Sequence, residues 1–308
     1  MDNAKGYKAF KPGMICKDKQ YAENTDYEEV GGKICEKGMM HYCVNPFDVL
    51  NFYDLVDESG KFSDFAEVKA LDQPISGSDG KFATKKLRIG AKLSFAGFIK
   101  ACIDYTKEQT NVNMPKSDVA TGNSAQIGSS GDYAQIGSSG NSAKIGSSGD
   151  YAKIGSSGNS AKIGSSGDYA QIGSSGDYAQ IGSSGNSAQI GSSGDSAQIG
   201  SSGDSAQIGS SGNYAKIGSS GNSAKIGSSG DSAKIDSTGV DSVICCAGHG
   251  CTVKAKIGSW ITLAEWEYSE EKGRSVPRCV KTEYVDGEKI KADTWYRLEN
   301  GEFVEVNR

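Results

Sequence analysis

GNSAKIGSSGDYAKIGSS, residues 140–157, is two copies of one nonapeptide, and the reading of that stretch decides the fold. From Gly122 to Thr238 the chain holds thirteen consecutive copies of G[ND][SY]A[QK]IGSS, of which only the last, GDSAKIDST, drifts. A Gly/Ser-rich tract ordinarily reads as a flexible linker. These copies, however, keep Ala and Ile two positions apart with a polar residue between them, a pattern a linker has no reason to hold. Side chains at i and i+2 share one face of an extended strand. Each copy therefore reads as a five-residue strand that turns Ala and Ile inward, followed by a tight Gly-Ser-Ser-Gly turn.

Nine residues are too few to enclose a core, so one coil takes two copies, 18 residues, and the first six copies agree by alternating Asn-Ser with Asp-Tyr. The expected fold is mainly β: a two-sheet parallel β-solenoid roughly 30 Å long at about 4.8 Å per stacked strand. A lone copy buries too little to offset the ordering of its backbone. Order is then cooperative along the rod, and both ends need covers.

On this geometry the even copies share a face on which Tyr133, Tyr151 and Tyr169 form a column beside Asp132, Asp150 and Asp168. Tyrosine offers large contact area at low entropic cost, so these six residues are the candidate binding surface. The plainer reading is that tyrosine covers glycine-rich backbone. The opposite face carries Lys144, Lys162, Lys216 and Lys234.

The flanks have ordinary compositions. In residues 1–118, an α+β domain, Asn45 and Pro46 read as a helix cap and first position. Phe62–Leu71 and Phe82–Leu93 read as strands. A helix follows Ser94, with Phe95, Phe98, Ile99, Cys102 and Ile103 on one face. Asn111–Ala120 would join this domain to the solenoid, which runs over 119–258, regular to 238 and irregular after it. Residues 259–308 alternate as a β-meander cap, with turns at Asp286-Gly287 and Asn300-Gly301.

The net charge is −5, and it divides without a polycation or polyanion: 17 basic and 18 acidic residues in 1–121, 6 and 8 in 122–238, 10 and 12 in 239–308. A nucleic-acid clamp is disfavoured, and a protein partner is the better expectation. Oligomerisation is left open. The amino terminus has no apolar core and no apolar run approaches a membrane span, so neither a secretion signal nor a membrane segment is expected. The 8 cysteines read as free thiols. Cys35, His41 and Cys43 are weak metal candidates, because CxxxxxHxC lacks the paired spacing that lets two ligands converge. In the second cluster, Cys245, Cys246, His249 and Cys251, alternation sends Cys245 and Cys246 to opposite faces. Neither a metal nor a cofactor is expected.

The repeat resembles calcium-binding nonapeptide toxin rolls, although the acid stands one position early and six copies carry Asn. Its SAKIG core is similar to the SxAIG motif of trimeric adhesin head rolls. At the ends, CEKGMMHYCVNPFDVLNFY (35–53) and VDGEKIKADTWYRLENGEFVEV (285–306) resemble uncharacterised phage and prophage proteins of Gram-positive bacteria. That resemblance implies a phage context and the cytoplasm of a bacterial host. The leading expectation is a non-enzymatic binding scaffold whose rigid roll spaces or displays interaction surfaces, in the narrower form an antagonist of a host defence or regulatory protein. The alternatives are an amino-terminal nucleotide- or protein-modifying enzyme with the roll as targeting arm, and a virion or tail-associated structural or adhesin protein.

Overall fold

The computed structural model describes residues 5–31, 38–57, 61–77, 80–110 and 117–306. Each regular copy contributes one strand. Odd copies build one sheet and even copies the other, so each strand pairs in parallel with the strand two copies on, identical position on identical position, as Ile145 on Ile163 and Ile154 on Ile172. The coil is the expected 18 residues. Parallel stacking runs from Ser117–Ala120 to Trp260–Ser269 in the even-copy sheet and from Gln126–Ser129 to Thr252–Lys254 in the odd-copy sheet, about eight coils.

Two details of the coil differ from the sequence reading. The strand is four residues, Gln/Lys-Ile-Gly-Ser, and runs on into the expected Gly-Ser-Ser-Gly turn, so that Ile and the following Ser share the inward face while Ala enters the core just ahead of the strand. Serine is small enough to fit there. Its hydroxyl is buried without a protein partner in the row from Ser138 to Ser228, the cost this register accepts. The turn is Gly-Asn/Asp-Ser/Tyr-Ala, closed by bonds such as Ala134 N–H to the Gly131 carbonyl at 3.3 Å, and its third residue is left-handed, with φ +57 at Ser142 and +60 at Tyr133.

The first glycine of each copy answers to stacking. A β-carbon built on Gly185 would lie 2.0 Å from the carbonyl oxygen of Gly167, one coil back, and the same holds at Gly149, Gly167 and Gly203. The turns of successive coils touch backbone to backbone, which only glycine allows.

In the amino-terminal domain one antiparallel sheet runs in the order Thr25–Glu28, Lys86–Leu93, Asp64–Ala70, Lys5–Phe10, Met40–Cys43, Lys81–Thr84, Ile75–Ser76. Asn45 caps Pro46–Asn51 as expected, its Oδ1 accepting from the Phe47 N–H at 3.0 Å, although the element is a 3-10 helix. The α-helix Phe95–Thr110 starts behind Ser94, whose Oγ accepts from the Gly97 N–H. Phe98 stacks on Phe65 with ring centres 3.7 Å apart, fixing the helix to its own sheet.

The domain does not stand at the end of the rod. It lies along the flank of the odd-copy sheet, with its helix against the strands Gln126–Ser129, Lys144–Ser147, Lys162–Ser165 and Gln180–Ser183. Asn111–Lys116 lie outside the described residues, and Ser117–Ala120, expected as part of a connector, is already a solenoid strand. At the far end the cap is two hairpins rather than one meander. Trp260–Ser269 with Arg274–Tyr284 finishes the even-copy sheet, while Tyr296–Glu299 with Glu302–Glu305 finishes the odd one. At this end each parallel sheet thus finishes on an antiparallel hairpin in place of a bare repeat strand. The Asn300-Gly301 turn has φ +52 and +75, the paired left-handed residues of a tight hairpin.

Candidate interaction surface

The two faces of the solenoid are built from the same strand and differ in what covers them. On the odd face, the glycine that follows each Ile floors a groove filled by the amino-terminal domain. Ile103 and Thr106 lie over Gly146, Phe47 and Ile99 over Gly164, Ile99 and Phe95 over Gly182, Phe62 and Phe95 over Gly200, and Phe62 and Val56 over Gly218. Phe95, Ile99 and Ile103 are spaced i, i+4, i+8, the stripe a helix offers to a flat surface.

Beside the groove runs a polar ladder from the position before each Ile. Lys144 pairs with Asp48 at 2.6 Å; Lys162 donates to the Phe47 carbonyl and to Asn51 Oδ1; Gln180 donates to the Leu50 carbonyl at 3.2 Å. Gln198 accepts from the Leu55 N–H at 2.7 Å and donates to Asp54, to which Lys216 also donates at 3.1 Å. The lysines expected to be displayed here are therefore covered, at least at 144, 162 and 216. Lys162 is buried deeply enough that desolvation lowers its pKa to about 8, with Asp48 pulling the other way.

On the even face the equivalent glycines, Gly155, Gly173, Gly191, Gly209 and Gly227, have nothing within 4 Å of a built β-carbon. The ladder there, Gln135, Lys153, Gln171, Gln189, Gln207 and Lys225, is exposed. The fold does not require these glycines. In the same column Gly227 gives way to Cys245 and then Thr262 with the parallel register intact, as Gly218 gives way to Asp236 and Lys254 on the odd face.

The predicted tyrosine column exists. Tyr133, Tyr151 and Tyr169 stack with ring centres 5.0 Å apart and planes within 7°, along one edge of the roll, and remain 63, 43 and 50% exposed. The acids beside them have a different role from the one expected. Asp132, Asp150 and Asp168 each turn Oδ1 onto the backbone N–H one coil on, at 3.0, 2.8 and 2.7 Å, and Asn141 does the same for Asn159. The position needs only an acceptor, which explains why Asp and Asn interchange along the repeat. One oxygen of each acid is thus committed to the fold, while the tyrosine rings stay exposed beside it.

Of the weak metal candidates, Cys35 lies outside the described residues, and His41 and Cys43 sit on the strand Met40–Cys43. Among the described residues no three His, Cys, Asp or Glu side chains converge as a metal site would need. Cys245 is exposed and Cys246 buried, on opposite faces as alternation predicts.

Residues 4–101 match the family model of DUF7666, a domain of unknown function. The matched segment holds the whole amino-terminal sheet and the start of the helix that docks on the solenoid. No curated protein and no solved structure matches the chain. Among the described residues no helix is long and apolar enough to cross a membrane.

The open face was missed in the sequence because odd and even copies spell the same strand. Lysine gives no guide, since it stands at 144, 162, 216 and 234 in odd copies and at 153 and 225 in even ones.

Proposed function

We propose that the protein is a non-enzymatic binding scaffold, in which the solenoid carries the amino-terminal domain on one face and receives a protein partner on the other. The observation that supports this most is the open glycine groove on the even face, five rungs long and with nothing over its glycines among the described residues, while a sister groove with the same Ile-Gly-Ser floor on the odd face is filled by a helix and an aromatic cluster. The partner chemistry this favours is the chemistry the sister groove takes: an amphipathic helix with branched and aromatic residues at i, i+4 and i+8, flanked by carboxylate or amide groups that meet the Gln/Lys ladder. The tyrosine column along the edge extends that surface with rigid aromatic area. The likeness of both ends of the chain to phage and prophage proteins makes a host defence or regulatory protein the partner class we put forward, in a bacterial cytoplasm.

The test is capture from host lysate by the full chain and by a triple variant, Gly173→Leu, Gly191→Leu and Gly209→Leu. Those side chains enter open space, so circular dichroism and melting temperature should match the parent while partner capture is lost. Equal capture by the two proteins would remove the even face from the mechanism. The parallel variant Tyr133→Ser, Tyr151→Ser and Tyr169→Ser separates the edge from the groove.

A further inference from the structure

The amino-terminal sheet is split. Lys5–Phe10 and Met40–Cys43 are neighbours in the sheet, yet they pair only at Tyr7 opposite Cys43, whereas Lys5–Phe10 pairs along its whole length with Asp64–Ala70 on its other side. Beyond Tyr7 the two strands part. The Lys8 side chain fills the missing ladder, its ammonium donating to the His41 carbonyl at 3.0 Å. A cleft of about 290 Å³ opens at the split, lined among others by Lys8, Lys17, Lys81, His41, Cys16 and Tyr53. Among the described residues that line it, three are lysines and none is an Asp or Glu.

The chemistry of Lys8 sets this cleft apart from the other buried lysines. Lys254 has Asp236 at 2.7 Å, and Lys162 has Asp48 close by. Lys8 is 5% exposed, and what faces it is a carbonyl, the Cys16 sulfur and the rings of Phe10 and Tyr21 at 5.3 and 5.8 Å; Lys17 adds a like charge. Burial lowers its pKa, since no carboxylate among the described residues pays the cost of taking an ammonium out of water. Tyr53 donates to the same Cys16 sulfur at 3.0 Å, so the Lys8 ammonium, the Cys16 sulfur and the Tyr53 hydroxyl lie together in the lining of the cleft. The lining also includes apolar surface, Val49 and the exposed ring of Phe52, over which the Lys81 ammonium lies at 4.4 Å. Apolar walls with a few convergent polar groups are the usual make-up of a small-molecule site.

We propose that this cleft binds a small organic anion, a phosphate or carboxylate on a compact apolar body, with the Lys8 ammonium as its charge partner and Phe52 against the body. Lys17, exposed in the same lining, draws the anion in. This reading is independent of the even face of the solenoid, and its test leaves that face untouched.

The experiment is titration calorimetry of the full chain with phenyl phosphate, benzoate and, as the neutral control, benzyl alcohol. Phenyl phosphate or benzoate should bind with a Kd of about 1 mM or lower, and benzyl alcohol about tenfold more weakly or not at all. Lys8→Met, which keeps the length of the side chain and removes its charge, should weaken the anion about tenfold or more. Lys17→Glu, an exposed change that leaves the core alone, should weaken it severalfold even if Lys8→Met proves unstable. Lys153→Gln on the open solenoid face should change nothing. The proposal is overturned if no anion binds at about 10 mM, if benzyl alcohol binds as tightly, or if Lys17→Glu and Lys8→Met bind like the parent.

Discussion

The odd and even faces of this solenoid are a comparison made within one molecule. They share Gln/Lys-Ile-Gly-Ser strands, the same 18-residue coil and the same parallel register. One is buried under Phe95, Ile99, Ile103 and Phe62; the other has open space over its glycines. What distinguishes them is therefore the flank that one of them meets. The first glycine of each copy is demanded by stacking and is present on both sides, whereas the glycine after Ile is demanded only where something lies upon it.

Substitution of the two glycine classes should separate these causes. The largest effect is expected at Gly185→Ala, whose added methyl meets the Gly167 carbonyl oxygen and must force two coils apart. A loss of about 3 kcal/mol in unfolding free energy is expected by urea denaturation, with exchange protection falling in the neighbouring coils. An unchanged midpoint would mean that the coils have more room than backbone stacking allows.

Next comes a matched pair on the two faces. Gly200→Leu drives a side chain into Phe62 and Phe95, while Gly191→Leu enters open space. The first should cost about 2 kcal/mol and speed amide exchange in the helix Phe95–Thr110, and the second should stay within about 0.5 kcal/mol of the parent. If both variants loosen the helix equally, the docking on the odd face is wrong.

The odd column continues past the docked domain into Asp236, 3% exposed and paired with Lys254, whose ammonium lies 5.2 Å from the Trp295 ring centre. Burial raises the Asp236 pKa to about 6 against the pull of Lys254. A carboxyl whose pKa is higher folded than unfolded holds more protons in the folded state over that interval, so its stabilising contribution is present in acid and is lost as pH rises through about 6. Relative to Asp236→Asn, the parent should lose about 1 to 2 kcal/mol between pH 4 and pH 7. A pH-independent difference between the two would refute the shift.

The core of this molecule is more legible in the sequence than its surroundings. The Ala-x-Ile spacing and the 18-residue alternation specify the coil, and Asn45, Ser94 and Asn300-Gly301 mark their elements where the structure has them. The carboxyl end of the strand was not legible because Ser138 and its equivalents read as turn residues, being small and polar, yet are buried beside Ile. The docking of the flank was not legible at all: a groove of Ile, Gly and Ser looks alike whether filled or empty. The candidate site was legible in half. Stacked Tyr133, Tyr151 and Tyr169 follow from periodicity alone, whereas the role of the adjoining acids depends on backbone N–H groups one coil away.

That last point yields the smallest and most discriminating prediction. Asp168 accepts from the Asn186 N–H through Oδ1, and nothing in this bond uses the negative charge. Asp168→Asn preserves the acceptor and should alter stability by less than about 0.5 kcal/mol, whereas Asp168→Ala leaves a turn N–H to solvent and should cost about 1 kcal/mol. The two substitutions remove the same charge, so any recognition that depends on the acid fails in both, and any loss that stems from the turn appears only in alanine. If Asp168→Asn abolishes partner capture without touching the melting temperature, the second carboxylate oxygen belongs to the binding surface after all, and the even edge is a mixed aromatic and anionic site instead of an aromatic one.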